Sequence, residues 1–280
     1  QLGYSVEWRV INAADYGRAQ RRRRVFFFVF RNDTKWGKRL HTRYEATLSV
    51  DADIKARLDC YAPYIFKDGL FGRQFPVKNE AVKKRINANK LDEDIAEVSA
   101  NFSDGKMWNS GLMTNGYYYT IETEPKGDEE PIPMKEIVVS PNQVPKEYYI
   151  DGEKLEKFKY LRGPKKITRT AANGHTYTFS EGGMSEYDSL ELPGRTMLTS
   201  EGSVNRSTHL LKIDGKYRLI TPIEAERLQD FPDDWTRYKR NTKGEVVEVS
   251  DRMRMFFMGN ALVTGIVKRI GDELQKIDAI

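Results

Sequence analysis

The chain has 280 residues, 39% hydrophobic and 31% charged, which is room for one large domain or two modest ones in a polar, globular protein. Its net charge of +5 and pI near 9.0 suit a polyanionic partner, and its single cysteine excludes a disulfide framework and fits a reducing compartment. No run approaches the roughly 18 to 20 apolar residues of a membrane span and no signal peptide is present, so a cytoplasmic protein without membrane contact is expected.

Tyr4 to Ile11 alternates, with Tyr4, Val6, Trp8 and Val10 on one face and Ser5, Glu7 and Arg9 on the other. This predicts a half-buried strand. A loop around Gly17 leads to Gln20 and then to four consecutive arginines, Arg21 to Arg24. They run into the apolar stretch Val25 to Phe30, which predicts a strand buried on both faces. Strand alternation points Arg22 and Arg24 one way and Arg21 and Arg23 the other. Four arginines often form a solvated basic patch, but a free tail is not normally joined to a rigid strand.

Lys35 to Arg39 reads as a surface loop, and Ala62 to Phe66 as a short strand or turn. Ile86, Leu91, Ile95 and Val98 have helical spacing and predict a surface helix, or a helix with a break, within 78–100. Asp104-Gly105 and Asn115-Gly116 are hairpin signals of a small β-rich region. Residues 154–169 are strongly basic, and Arg162, Lys165 and Lys166 lie near Tyr160 and Tyr177. Such a surface suits nucleic-acid contacts, and an ordinary basic face fits it about equally well. Arg195, Thr196 and Arg206 follow in a glycine-punctuated stretch able to reach phosphates and base edges. Thr221-Pro222-Ile223-Glu224 is a capping box with proline at the first helical position, and predicts a short helix ending before Phe231-Pro232. Val263, Val267, Ile270, Leu274 and Ile277 form one stripe of a last helix, entered through Gly259-Asn260.

Asn12-Ala13-Ala14-Asp15-Tyr16-Gly17, then Gln20, Arg22 and Arg24 before the apolar strand, resembles the Gln-x-Arg-x-Arg motif of the DNA cytosine-5 methyltransferases. Ala19 stands where the family usually has proline. Leu219-Ile220-Thr221-Pro222-Ile223-Glu224, with Arg227-Leu228-Gln229-Asp230-Phe231-Pro232, resembles the family's ninth motif. Gly259-Asn260-Ala261 resembles its tenth. The resemblance implies an α/β fold: the C-terminal part of a Rossmann-like S-adenosylmethionine-dependent methyltransferase domain plus a smaller, β-rich target-recognition domain. Residues 1–31 would end the catalytic domain, 32–250 would form the recognition domain with the ninth motif, and 251–280 would return to the catalytic domain. The implied activity is methyl transfer from S-adenosyl-L-methionine to C5 of a flipped-out cytosine in duplex DNA, in a bacterial restriction-modification setting.

In the family a cysteine thiolate adds to C6 of the ring, C5 takes the methyl group, a base removes the C5 proton and the thiolate leaves, with no metal. The resemblance assigns Arg24 to the flipped ring, Arg22 beside the nucleophile, and Gln20 to the DNA backbone or the gap in the duplex. It assigns Thr196 to recognition, and Asn260 and Ala261 to the surroundings of the cofactor. The family's Pro-Cys, Phe-x-Gly-x-Gly and Glu-Asn-Val motifs are absent from the sequence. Cys60 follows the arginine motif rather than preceding it and reads as a small buried cysteine. Residues 1–280 are therefore expected to be inactive alone, and to need an upstream segment or partner subunit carrying those motifs. A non-catalytic DNA-binding module is the alternative, and a generic basic RNA-binding protein a weaker one.

Overall fold

The alternating segment at the start of the chain does pair as a strand, but with its faces reversed. The structure is a computed structural model describing residues 2–46, 48–49, 51–82, 85–91, 94–101 and 107–278. The chain divides into two units: residues 1–16, 23–130 and 266–280 in the first, 17–22 and 131–265 in the second. The stretch 32–250, expected as one recognition domain, is thus divided after Glu130.

In the first unit, β1 (Tyr4–Asn12) and β2 (Arg23–Arg31) pair antiparallel over their whole length. The helices α1 (Lys35–Leu40), α2 (Ile54–Pro63) and α3 (Leu70–Gln74) follow, then β3 (Ile86–Lys90), α4 (Ile95–Asn101), β4 (Ser110–Thr114) and β5 (Tyr117–Ile121). The sheet runs β2-β1-β4-β5-β3, and every pairing is antiparallel. Asn115 and Gly116 have φ of 47° and 77°, so the expected tight hairpin joins β4 to β5. The expected Asp104-Gly105 turn lies outside the described residues. Ile86 to Lys90 is a strand rather than part of a helix, because it pairs along β5 from Ile86↔Ile121 to Lys90↔Tyr117. The helical spacing of Ile86, Leu91, Ile95 and Val98 had bridged a strand and a helix.

The buried face of β1 carries Ser5, Glu7, Arg9 and Ile11. Glu7 accepts the N–H groups of Leu70 and Phe71, each at 3.0 Å, and the Tyr64 hydroxyl at 3.1 Å. Arg9 donates to the carbonyls of Phe75 at 3.1 Å and Ile65 at 2.5 Å. One strand therefore satisfies the orphan amides that open α3 and a carbonyl just past its end. Burial pushes the Glu7 carboxyl up to about 7, against the pull of the Phe71 amide, Arg9, the Leu70 amide and Tyr64.

The apolar face is the open one. Tyr4, Val10, Val25, Phe27 and Val29 are all exposed, Phe27 at 64%, while Trp8 is buried over Gly111. β2 is an edge of the sheet and is not buried on both faces, since Val25, Phe27 and Val29 are exposed on one of them. Its other side packs Phe28 and Phe30 against Trp36, Leu40, Tyr64, Leu112 and Tyr119.

In the second unit, β6 (Tyr149–Ile150), α5 (Gly152–Arg162), β7 (Lys165–Thr170), β8 (Thr176–Glu181), β9 (Leu210–Ile213) and β10 (Lys216–Leu219) lead to α6 (Pro222–Leu228). Then come β11 (Tyr238–Arg240), β12 (Val246–Glu248) and α7 (Asp251–Asn260). A three-stranded sheet has the order β6-β10-β9, while β7–β8 and β11–β12 are separate two-stranded ribbons. Met134, Met197, Leu211, Ile220, Ala225, Leu228 and Met258 form the core. The α6 capping box closes as expected, with Thr221 Oγ1 accepting from Glu224 N at 3.3 Å and Glu224 accepting from Thr221 N at 2.7 Å.

The last helix, α8 (Thr264–Asp278), departs from its apolar stripe: Val267 is exposed, whereas Ile266 and Glu273 are buried. Glu273 faces inward because Arg73 and Gln74 donate to it at 3.1 and 2.8 Å.

Candidate functional site

Gln20 and Arg22 lie in the second unit and are both buried. The Gln20 amide donates to Leu228 O at the end of α6 (3.2 Å), and its oxygen accepts from Met197 N (3.2 Å) and from Arg22 (3.3 Å). Arg22 donates to Met197 O and Gly259 O, each at 2.8 Å. Beside them, Gly194 N donates to Ala19 O (2.7 Å), Arg21 N to Gly194 O (2.8 Å) and the Thr196 hydroxyl to Arg21 O (2.6 Å). Three motifs far apart in sequence thus converge at residues 20–22, 194–197 and 259.

Two glycines permit that approach. A Cβ at Gly259 would fall 2.4 Å from Thr199 N, and one at Gly194 would fall 2.7 Å from the Leu228 side chain. Arg22 at 2% exposure is a strut reading main-chain carbonyls. Arg24 is the second residue of β2 in the first unit, half-exposed, and donates to Arg23 O at 2.7 Å. The pair of arginines expected to act together is split between roles by burial.

The ninth-motif segment is an ionic scaffold. Buried Arg218 grips Glu224 through hydrogen bonds of 2.8 and 2.6 Å, and Glu224 also accepts from Val139 N at 2.9 Å. Buried Glu226 accepts twice from Arg254 at 3.0 Å, and from Asp234 N and Thr236 N. The Gln229 amide donates to Met258 O at 2.7 Å. The helix carrying the tenth-motif turn is thereby bound to the ninth.

Of the five expected DNA-contacting cations, four fall into two ion-paired groups and Lys166 stands apart. Arg162, at 1% exposure, and half-buried Arg195 both bind Asp188, Arg162 at 2.8 Å. Arg162 also donates to Thr208 O and Ser185 O. A guanidinium so enclosed meets no external phosphate without local unfolding. Burial would raise the Asp188 carboxyl, but hydrogen bonding to Arg195 and the charges of His209, Arg195 and Arg162 hold it well below the usual carboxylate range. Lys165 and Arg206 are half-buried and both pair with Glu181, at 3.2 and 2.5 Å. Lys166 is exposed. Asp188 is the residue that sequence reading passes over: it lies 26 positions from Arg162, and no local pattern joins them.

Asn260, exposed at the end of α7, donates to Phe256 O at 3.1 Å; Ala261 is half-buried and Leu262 exposed. Gly259-Asn260 ends one helix rather than opening the next. A cleft of about 450 Å³ lies along α7, lined by Thr199, Ser200, Ser203, Arg252, Met253 and Phe256. Thr199 and Ser200 lie in the glycine-punctuated stretch that the sequence marks, while Ser203, beside Gly202, is the hydroxyl that sequence reading missed. Cys60 sits half-buried in α2, its thiol donating to Tyr44 O.

Among the described residues no group of three or more His, Cys, Asp or Glu side chains is placed to hold a metal ion. No helix among them is long and apolar enough to cross a membrane.

The sequence model of the family described as C-5 cytosine-specific DNA methylase matches residues 1–276. The chain is 49% identical over 280 residues to the Type II methyltransferase M.Sau3AI of Staphylococcus aureus. That match covers 100% of this chain and 61% of the relative's length, in its C-terminal part.

Proposed function

Because the chain belongs to the C-5 cytosine-specific DNA methylase family, we propose that it is the recognition-bearing portion of an enzyme that methylates cytosine C5 in duplex DNA, within a type II restriction-modification system. The observation that carries this reading is the buried convergence of Gln20 and Arg22 with Met197 and Gly259. It joins the arginine motif, the recognition segment and the tenth-motif turn in the second unit. On this reading residues 1–31 and 251–280 go with a Rossmann-like catalytic part, and target recognition lies between them.

Each side chain then has a role. Arg24, half-exposed on a rigid strand, is the candidate to donate to the everted cytosine, where negative charge develops during attack. Gln20 and Arg22 are positioning residues: they hold the 194–197 loop and the α7 end at fixed distance. The exposed Asn260 side chain, with Ala261 and the neighbouring exposed Phe256 and Leu262, fits one wall of a site for S-adenosyl-L-methionine. That cosubstrate supplies the methyl group when bound.

The chain's single cysteine, Cys60, is held on α2, so the nucleophile belongs to the part of the relative's length that this chain does not span. The edge of β2 and the open apolar face of β1 and β2 suit that part as a partner. An exposed, long, apolar edge strand is a ready template for a further strand.

Tritiated methyl transfer to duplex DNA tests the proposal. Residues 1–280 alone should transfer nothing, and addition of the remaining portion should restore transfer. Specific DNA binding with no transfer from the completed protein would favour a non-catalytic recognition module instead.

A further inference from the structure

The ribbon β7–β8 belongs to the second unit but to neither its three-stranded sheet nor its core. Its register pairs Lys166↔Ser180, Thr168↔Thr178 and Thr170↔Thr176. Directly paired residues share a face, so these six side chains line one side of the ribbon, and all six are exposed. The other side carries Lys165, Ile167, Arg169, Tyr177, Phe179 and Glu181, with the Arg169 guanidinium 3.9 Å from the centre of the Phe179 ring.

The ribbon is stiff at both ends. At its tip Ala171 N donates to His175 O (2.8 Å) and Gly174 N to Ala171 O (2.9 Å), with Gly174 at φ 82°. At its base Lys165 and Arg206 both hold Glu181, Arg206 also donates to Gly182 O, and Met184 N donates to Arg162 O at 2.9 Å. Arg162 in turn is locked to Asp188. Arg162, Lys165, Arg195 and Arg206, which the sequence marks for DNA, thus build the mount, while Lys166, marked with them, and Arg169 carry no carboxylate partner among the described residues.

We propose that the hydroxyl-lined face of β7–β8 enters the DNA major groove and reads base edges, with Lys166, Thr168 and Thr178 as specificity-determining residues. This inference rests on the methyltransferase reading. Two strands about 4.8 Å apart with short side chains fit a groove about 12 Å wide. Six residues at about 3.4 Å each span about 20 Å, or roughly six base pairs at about 3.4 Å per step. Threonine suits the task twice, since its hydroxyl donates and accepts and its methyl can meet the thymine methyl. The ribbon's charge matches the polyanion: Lys165, Lys166 and Arg169 against Glu181 leave +2.

The test uses the complete enzyme, wild type and variants, on a random-sequence duplex pool, with methylated cytosines and their flanks read by bisulfite sequencing. Thr168→Val with Thr178→Val keeps shape and strand propensity while removing two hydroxyls. Lys166→Gln is the second variant, and Ile167→Thr, on the opposite side, the control. The valine variant should lose about tenfold or more of its preference at one or more flanking positions. The glutamine variant should lose preference at a flanking position as well, and the control should keep the wild-type profile. An unchanged profile in both reading-face variants overturns the proposal. So does an equal loss on every duplex, which marks a phosphate contact. A completed wild type that methylates no duplex would overturn the methyltransferase reading itself, whereas unchanged variants of an active wild type overturn only the reading face.

Discussion

Burial separates arginines that a sequence motif treats alike. Arg22 donates to two main-chain carbonyls from a closed site, whereas Arg24 is half-exposed on β2. Arg22→Ala should destabilise the second unit by about 2–4 kcal/mol, since both carbonyls and Gln20 lose a charged donor. The check is a denaturant melt. Arg24→Ala should leave the melt within about 0.5 kcal/mol and reduce methyl transfer by the completed enzyme far more than DNA affinity.

Glu7 offers a pH test. With its carboxyl raised to about 7, the folded chain keeps a proton that the unfolded chain releases above the ordinary value of 4.5. Its contribution to stability is therefore greatest below 4.5, falls as pH climbs to about 7 and levels off beyond. The fall amounts to about 3 kcal/mol at most. Urea melts between pH 5 and 7.5 should show this slope in the wild type and a flatter one in Glu7→Gln.

At the scale of elements, α6 is held by one carboxylate. Glu224 closes the capping box and takes the buried Arg218 guanidinium, so Glu224→Ala strands a charge and should cost about 3–5 kcal/mol. Pairing it with Arg218→Met should recover much of that loss in the same melt. The capping box and the Asn115-Gly116 turn were legible in the sequence because each is a local device whose partners lie within four residues. The inward face of β1 was not. Alternation marked a strand, but the assumption that apolar residues turn inward failed, since Glu7 and Arg9 are buried to serve α3, more than fifty positions away. The basic run at 154–169 was readable as charge, but its division into mount and ribbon depends on Asp188 and Glu181. The convergence of residues 20–22 with Gly259 was foreshadowed only by family resemblance, because no local period links them.

At the scale of the whole molecule, the bare apolar face of β1 and β2 is a departure from a self-sufficient fold. Exposed Val25, Phe27 and Val29 should bind a hydrophobic dye such as ANS, and the signal should fall when the remaining portion of the enzyme is added. Phe27→Glu should weaken reassembly at least tenfold in a titration of one part against the other, with little change in the isolated chain's melt. Such an unfinished margin also bears on how the protein is made. On the proposed reading, an upstream half made in the same polypeptide would leave the ribosome first and could meet the bare strand as it emerges. Encoded as two on that same reading, the halves would have to be translated close together and in balanced amounts, because any surplus of this one would be exposed to self-association and proteolysis.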